Sequence, residues 1–131
     1  MHGILLFAHG ARDPQWARPF HRIADQLRAA APDQPVALAF LELMTPGLAA
    51  GVDELVAQGC RHVTVVPLFL GAGGHVRKDL PVLIEQARAA WPDVHIEATA
   101  AIGEIDGVTR ALAHATLELV RAPAASTGLP S

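Results

Sequence analysis

Two histidines each follow an apolar, strand-like run at the point where that run ends. His9 comes directly after the segment 3–8 and begins a His-Gly-Ala-Arg-Asp-Pro motif. His75 comes after the segment 63–70 and a turn of small residues at 71–74. Ligands bind outside the carboxyl ends of the strands in an open parallel sheet, and imidazole is the commonest metal ligand among side chains. We therefore expect His9 and His75 to share a metal-binding or catalytic site.

Other residues near these histidines offer a carboxylate and positive charge. Glu42 follows a second apolar run, 36–41, and would act at the same sheet edge as a ligand or base, or else simply be solvated. The candidates for binding an anionic ligand are Arg12, Arg77, Lys78, Gly73 and Gly74. Arginine and lysine pair with carboxylates, and glycine lets the backbone come close to a ligand. Taken alone, the three basic residues are better explained as solvated surface charges.

The other histidines do not follow predicted strands. They are His2, His21, His62, His95 and His114, and they fall at the terminus, on helix faces or at strand starts. Strand starts lie at the opposite edge of a parallel sheet from the expected site. We therefore expect surface or structural roles for all of them. The single cysteine, Cys60, permits no internal disulfide and is expected to be a small packed residue.

Strand-like and helical patterns alternate along the chain. Apolar runs predict strands over 3–8, 36–41, 63–69 and 94–98. Between these runs, apolar residues recur at helical spacing. The last helical stripe comprises Ile105, Val108, Leu112, Ala115 and Leu119. The chain is therefore expected to fold as alternating strands and helices.

Local residue types indicate where the helices begin. Asp13-Pro14 is a possible start for the first helix, although Pro19 favours a later start or a kink. Thr45-Pro46 reads as the cap and first residue of the second helix, which Gly59 would end. Asp79 is expected to cap the third helix, with Pro81 in its first turn.

The alternation predicts an α/β fold with three layers. We expect an open, parallel, four-stranded sheet in the order 2-1-3-4, with helices on both faces and right-handed crossovers. In this order strands one and three are neighbours whose following loops diverge, so His9 and His75 would face each other across the topological switch point. We expect a single domain over 1–121 and, since periodicity is absent there, a disordered tail over 122–131.

The composition argues against several classes of function. The net charge is −3, the basic residues are scattered and there is no tyrosine, so nucleic-acid binding is not expected. The uncharged stretch 63–74 is too short to span a membrane, and the N-terminal residues do not form a signal peptide. We therefore expect a cytoplasmic protein without membrane contact.

With these motifs identified, the sequence resembles the sirohydrochlorin chelatases of the short CbiX/SirB type, a class II chelatase family. The resemblance rests on His9-Gly10-Ala11-Arg12-Asp13-Pro14, on Phe40-Leu41-Glu42-Leu43, and on Val66-Pro67-Leu68-Phe69-Leu70 followed by Gly73-Gly74-His75-Val76. It covers about residues 3–121. The family often has serine where this chain has Ala11, a difference that removes a hydroxyl but no candidate metal ligand.

The resemblance implies a lyase that inserts divalent cobalt, iron or nickel into sirohydrochlorin, for cobalamin or sirohaem synthesis. It implies that the metal-binding and catalytic residues are His9, His75 and Glu42. The metal ion would be a substrate, with no permanently bound cofactor. The basic residues would meet the carboxylates of the tetrapyrrole. A domain with a radius of gyration of roughly 14 Å is too small to enclose the macrocycle in one crevice, so we expect a two-fold homodimer.

Two other functions remain open at this stage. A non-catalytic metal carrier would use the same histidines and would need neither Arg12 nor Arg77. A nucleotide or flavin binder would use the turn at 71–74, although that turn matches neither the P-loop nor the dinucleotide fingerprint. An enzyme would show metal-dependent turnover of its substrate, whereas the metal carrier and the nucleotide or flavin binder would not.

Overall fold

The computed structural model describes residues 1–71 and 73–122, and for His75 the backbone alone. The strands are β1 (His2–Ala8), β2 (Val36–Phe40), β3 (His62–Pro67) and β4 (His95–Ala98). The helices are α1 (Arg18–Ala30), α2 (Leu48–Ala57), α3 (Gly74–Ala90) and α4 (Asp106–Arg121), and short 3-10 turns cover Pro14–Ala17 and Ile102–Glu104. Apart from Ala122, the tail predicted to be disordered lies outside the described residues.

The strands form one parallel sheet in the order β2-β1-β3-β4, so the predicted topology is confirmed. Helix α1 covers one face of the sheet, where it packs on residues such as Leu6 and Phe40. Helices α2 and α3 cover the other face, around residues such as Phe7 and Val65. Every residue of β2 is buried, as expected for a strand covered on both sides.

The start of α1 follows the proline pattern in the sequence. Asp13 caps a 3-10 turn, and its side chain accepts a hydrogen bond from the Gln15 N–H at 2.9 Å. The α-helix begins only at Arg18, with Pro19 in its first turn, where proline loses no backbone hydrogen bond. The later start that Pro19 indicated is therefore confirmed.

The predicted start of α2 at Thr45-Pro46 is wrong, because the helix begins at Leu48 after Gly47. The Pro46 carbonyl instead accepts a hydrogen bond from the Phe40 N–H at 2.9 Å, which ties the loop back to the end of β2. The end of α2 is as predicted, because Gly59 follows it with φ +100°.

The predicted start of α3 at Asp79 is also wrong. The helix begins five residues earlier, at Gly74, and contains Pro81 in its interior. An interior proline removes one backbone hydrogen bond. The burial of Ile84 and Ala87 against the sheet, with Leu80 and Leu83 packed beside them, offsets that loss. Packing against the sheet therefore outweighs the local preference for a helix that starts at Asp79.

Helix α4 forms as its periodicity predicts, but none of its residues is buried. Its main contacts within the chain are with the preceding 3-10 turn. Leu112 and Leu119 are exposed, at 45% and 60%. The sheet face that carries α1 is accordingly only partly covered at β3, where His62, Thr64 and Val66 are half-buried while the alternate residues are buried.

Candidate active site at the carboxyl edge of the sheet

His9 and Glu42 meet at the carboxyl edge of the sheet, as the sequence predicts. His9 directly follows β1, and Glu42 lies two residues beyond the end of the adjacent β2. The distance from His9 Nε2 to Glu42 Oε2 is 3.6 Å, and the side chains are 43% and 45% exposed. This distance is longer than a hydrogen bond. His9 Nε2 and Glu42 Oε2 are therefore close together and accessible, and both are available to a third group such as a metal ion.

The backbone around Gly10 holds these two loops together. Gly10 has φ +98°, and a Cβ built on it would lie 1.9 Å from the carbonyl oxygen of Glu42. The Glu42 N–H donates to the His9 carbonyl at 3.1 Å, and the Met44 N–H donates to the Glu42 carbonyl at 2.8 Å. Leu43, between them, has φ +64°. Only glycine fits at position 10, so the His-Gly pair in the sequence is a structural requirement of this site.

The segment after β3 lies beside the same pair. The Leu68 N–H donates to the Phe7 carbonyl at 2.8 Å, which extends the pairing of β3 with β1. The Phe69 ring then packs edge-on against His9, with centroids 6.2 Å apart and planes at 76°. One side of the His9 imidazole is therefore apolar, and the other faces Glu42.

His75 is the second residue of α3, the helix that follows β3. Its backbone therefore belongs to the connection that leaves the same sheet edge. Its side chain lies outside the described residues. That His9 and His75 share one site stays a prediction.

The candidate substrate-binding residues lie at the surface near this edge. Arg12, Arg77, Lys78, Gly73 and Gly74 are all exposed. A Cβ added at either glycine would meet nothing within 4 Å. Among the described residues, none makes a contact that demands glycine at these two positions, so space is open there on the side of the described chain. Their binding role stays a prediction.

A cavity of about 540 Å³ lies against α3 at the ends of β3 and β4. It is bounded by α3 and by the ends of β3 and β4 with the segments that follow them, and its lining includes Phe69, Arg77, Glu85, Arg88 and Glu104. Phe69 borders both the cavity and His9. The cavity therefore meets the candidate site at Phe69, and its lining combines apolar side chains with charged ones that include two arginines.

A second group of polar residues lies at the opposite edge, where the sequence predicts surface or structural roles for the histidines. His62, His95 and Glu97 bring their ligand atoms within 4.8 Å of one another. The signal that would have revealed them is the strand register, because His62 and His95 each begin a strand and the two strands are neighbours.

Comparison with known proteins identifies the family of the chain. The profile of the CbiX family matches residues 3–119. The chain belongs to the CbiX family. It is 37% identical over 82 residues to the sirohydrochlorin cobaltochelatase of Methanothermobacter thermautotrophicus, an alignment that covers 63% of this chain and 57% of that protein.

Solved structures of similar proteins have the same fold. A protein described as a cobalamin (vitamin B12) biosynthesis CbiX protein, from Marinobacter aquaeolei, matches with a TM-score of 0.82 and 35% identity, over 92% of this chain and 98% of that one. SirB from Bacillus subtilis with Fe³⁺ matches with a TM-score of 0.79 and 28% identity, over 93% of this chain but 48% of SirB. The chain thus spans about half the length of SirB and of the curated relative.

In the part of the chain that the structure describes, no helix has the length and apolar content needed to cross a bilayer.

Proposed function

We propose that this chain catalyses insertion of a divalent metal ion into sirohydrochlorin. The observation that carries the proposal is the accessible His9–Glu42 pair at the switch-point edge of a CbiX-family sheet. Its relatives support cobalt or iron as the metal, because one is named a cobaltochelatase and another was solved with Fe³⁺. The metal ion is a substrate in this reaction.

The chemistry requires groups that hold a metal ion loosely and accept protons. A free-base tetrapyrrole loses two pyrrole N–H protons while the metal ion exchanges its water ligands for ring nitrogens. A neutral imidazole at His9 and a carboxylate at Glu42 suit both tasks, and two histidines with one carboxylate leave open positions on cobalt or iron. We include His75 as the third member of this set on the basis of its sequence motif.

The anionic substrate needs positive charge near the pair. Arg77 lines the cavity that Phe69 links to His9, and Arg12 and Lys78 are exposed, where they can turn toward bound carboxylates. Sirohydrochlorin carries eight carboxylates, and arginine binds carboxylates in a bidentate manner. We therefore assign substrate binding to these three side chains, together with the exposed backbone of Gly73 and Gly74.

We further propose that two copies of the chain act together. The apolar side chains of α4, including Leu112 and Leu119, are exposed in a single copy. The chain matches 48% of SirB, so two copies equal the SirB length. A two-fold dimer would cover α4 and place two sites around one macrocycle. Analytical ultracentrifugation of an active preparation that contains only monomer would refute this arrangement.

The activity is tested by the change in absorbance when Co²⁺ or Fe²⁺ enters sirohydrochlorin. Wild-type protein should increase the rate over the uncatalysed mixture, and His75→Ala should remove most of that increase. His114→Ala is a matched control, because His114 is an exposed histidine, paired with Glu118 at 2.9 Å, on the face of α4 opposite the stripe of Leu112 and Leu119. An unchanged rate in His75→Ala would contradict the assignment.

The same experiment separates the enzyme from a metal carrier that uses the same histidines. A carrier would bind Co²⁺ through His9 and His75 but would not accelerate its insertion. Use of nickel, the pathway that receives the product and a cytoplasmic location stay predictions from the sequence.

A further inference from the structure

Histidines from neighbouring strands form a row at the amino edge of the sheet. In the register of the parallel strands, His2 of β1 pairs with His62 of β3, which pairs with His95 of β4. Side chains alternate between the faces of a strand, so Thr64 and Glu97, two residues further along, lie on the same face as the row. This is the sheet face that carries α1, in the part over β3 and β4 that is only partly covered.

Glu97 lies between two of these imidazoles. Its Oε1 is 2.7 Å from His62 Nε2, and its Oε2 is 3.3 Å from His95 Nε2. Hydrogen bonds from His62 and then from His95 lower the pKa of Glu97 below the usual range of a glutamate. The group therefore presents a carboxylate and two imidazole nitrogens that converge on it.

Neighbouring residues hold these ligand atoms in place. The His2 ring stacks on His62, with centroids 4.1 Å apart and planes at 14°. His2 Nε2 lies 2.7 Å from Thr64 Oγ1, and the Thr64 hydroxyl is 3.4 Å from Glu97 Oε1. Such supporting contacts orient metal ligands in known sites. The His62 ring is thus held from one side by His2 and from the other by Glu97.

We propose that His62, His95 and Glu97 form a second metal site, which takes a divalent first-row transition metal ion such as Ni²⁺, Zn²⁺ or Co²⁺. Two imidazoles and one carboxylate are a ligand set that these ions accept. The residues are 42%, 65% and 46% exposed, so an ion enters from solvent and keeps water in its remaining positions.

The spacing of the ligand atoms suits a single ion. All three lie within 4.8 Å of one another, and a tetrahedral ion with bonds of about 2.1 Å requires ligand atoms about 3.4 Å apart. The present separations therefore exceed that spacing by at most about 1.4 Å. An ion takes the place of the hydrogen bonds from the two Nε2 atoms to Glu97, and each neutral ring then carries its proton on Nδ1. The site is separate from His9 and Glu42, because the six-residue strand β3 between the two edges is about 17 Å long.

The test uses Ni²⁺ and isothermal titration calorimetry on the full chain with His9→Ala and His75→Ala, which removes the other histidines proposed to bind metal. This background variant should bind one Ni²⁺ per chain. Adding His62→Ala or Glu97→Gln should weaken the affinity at least tenfold, whereas adding His114→Ala should not change it. His114 is the matched control, because its pairing with Glu118 offers one imidazole and one carboxylate without a second imidazole.

X-ray absorption of the Ni²⁺-loaded background variant should show imidazole scattering from two histidines, and from fewer after His95→Ala. Circular dichroism without metal establishes that each variant is folded, and His62→Gln replaces His62→Ala if the latter is not. The proposal is overturned if the background variant binds no Ni²⁺, or if the His62 and Glu97 variants bind it as tightly as the background variant does.

Discussion

The two edges of the sheet each place histidine beside glutamate, but they do so in different ways. At the carboxyl edge His9 and Glu42 come from loops and stand 3.6 Å apart without a hydrogen bond. At the amino edge His62 and Glu97 come from within strands and lie 2.7 Å apart. Backbone hydrogen bonds between loops position the first pair, whereas strand register positions the second.

This difference has a chemical consequence. A group that transfers a metal ion to another ligand must release it. Ligand atoms that lie on loops and make no hydrogen bond to each other keep the free energy of that release small. Ligand side chains on paired strands lose little conformational freedom when an ion binds, and this favours retention of the ion. This contrast fits the proposed metal transfer at the carboxyl edge and the proposed metal binding at the amino edge. The predictions that follow test this contrast, from the largest expected effect to the smallest.

Gly10→Ala should have the largest effect, because it disturbs the loop contact that builds the carboxyl edge. The new methyl group would meet the Glu42 carbonyl at a positive φ. We expect a loss of more than about 3 kcal/mol in unfolding free energy, from backbone strain and overpacking together. Gly59→Ala is the matched control, because Gly59 has φ +100° but open space around it. It should cost about 1 kcal/mol in urea unfolding, and equal losses in both variants would argue against the steric explanation.

His9→Ala should reduce the rate of cobalt insertion about 100-fold, the usual contribution of a positioned acid–base group. Glu42→Gln should reduce it about tenfold, because the amide keeps the shape but cannot accept a proton. Single-turnover absorbance measurements would give both rates. A His9→Ala enzyme within threefold of wild type would remove this histidine from the mechanism.

Metal addition should stabilise the amino edge even when the carboxyl edge lacks its histidines. In His9→Ala/His75→Ala protein, Ni²⁺ at ten times its Kd should raise the unfolding free energy by about 1.4 kcal/mol. The further change His62→Ala should abolish that increase, and a chelator should reverse it in the parent variant. Thermal unfolding followed by circular dichroism measures each case. Equal stabilisation with and without His62 would place the ion elsewhere.

Cys60, beneath the amino edge, should produce the smallest effect. Its side chain is fully buried, and burial raises the pKa of its thiol. A raised pKa in the folded protein means that the unfolded chain loses the thiol proton first. Stability should therefore fall as pH rises above the ordinary thiol pKa of about 8.5. Urea unfolding between pH 7 and pH 10 should show a smaller fall in Cys60→Ser, and parallel pH profiles would contradict this account.

The overall topology could be predicted because it depends on patterns that extend over many residues. Apolar runs and helical stripes identify all four strands and four helices in order, and the rules for parallel sheets then lead to β2-β1-β3-β4. The meeting of His9 and Glu42 follows from the same rules, because both residues follow neighbouring strands.

The starts of α2 and α3 could not be predicted from local residue types. Thr45-Pro46 and Asp79 are good helix-start residues taken alone. The Pro46 carbonyl is instead bonded to Phe40, and α3 extends back to Gly74 despite Pro81. These outcomes depend on distant partners.

By itself, the sequence determined the order of elements, the sheet topology and the residues delivered to the carboxyl edge, since each depends on the local pattern and on which strand a loop follows. The tertiary structure alone decided the cluster at the amino edge. The side chains of His62, His95 and Glu97 meet only when β3 and β4 pair in one register, and a shift of one residue would turn one strand's side chains to the other face. Register is set by packing across the whole sheet, and so the chemistry at that edge is a property of the fold.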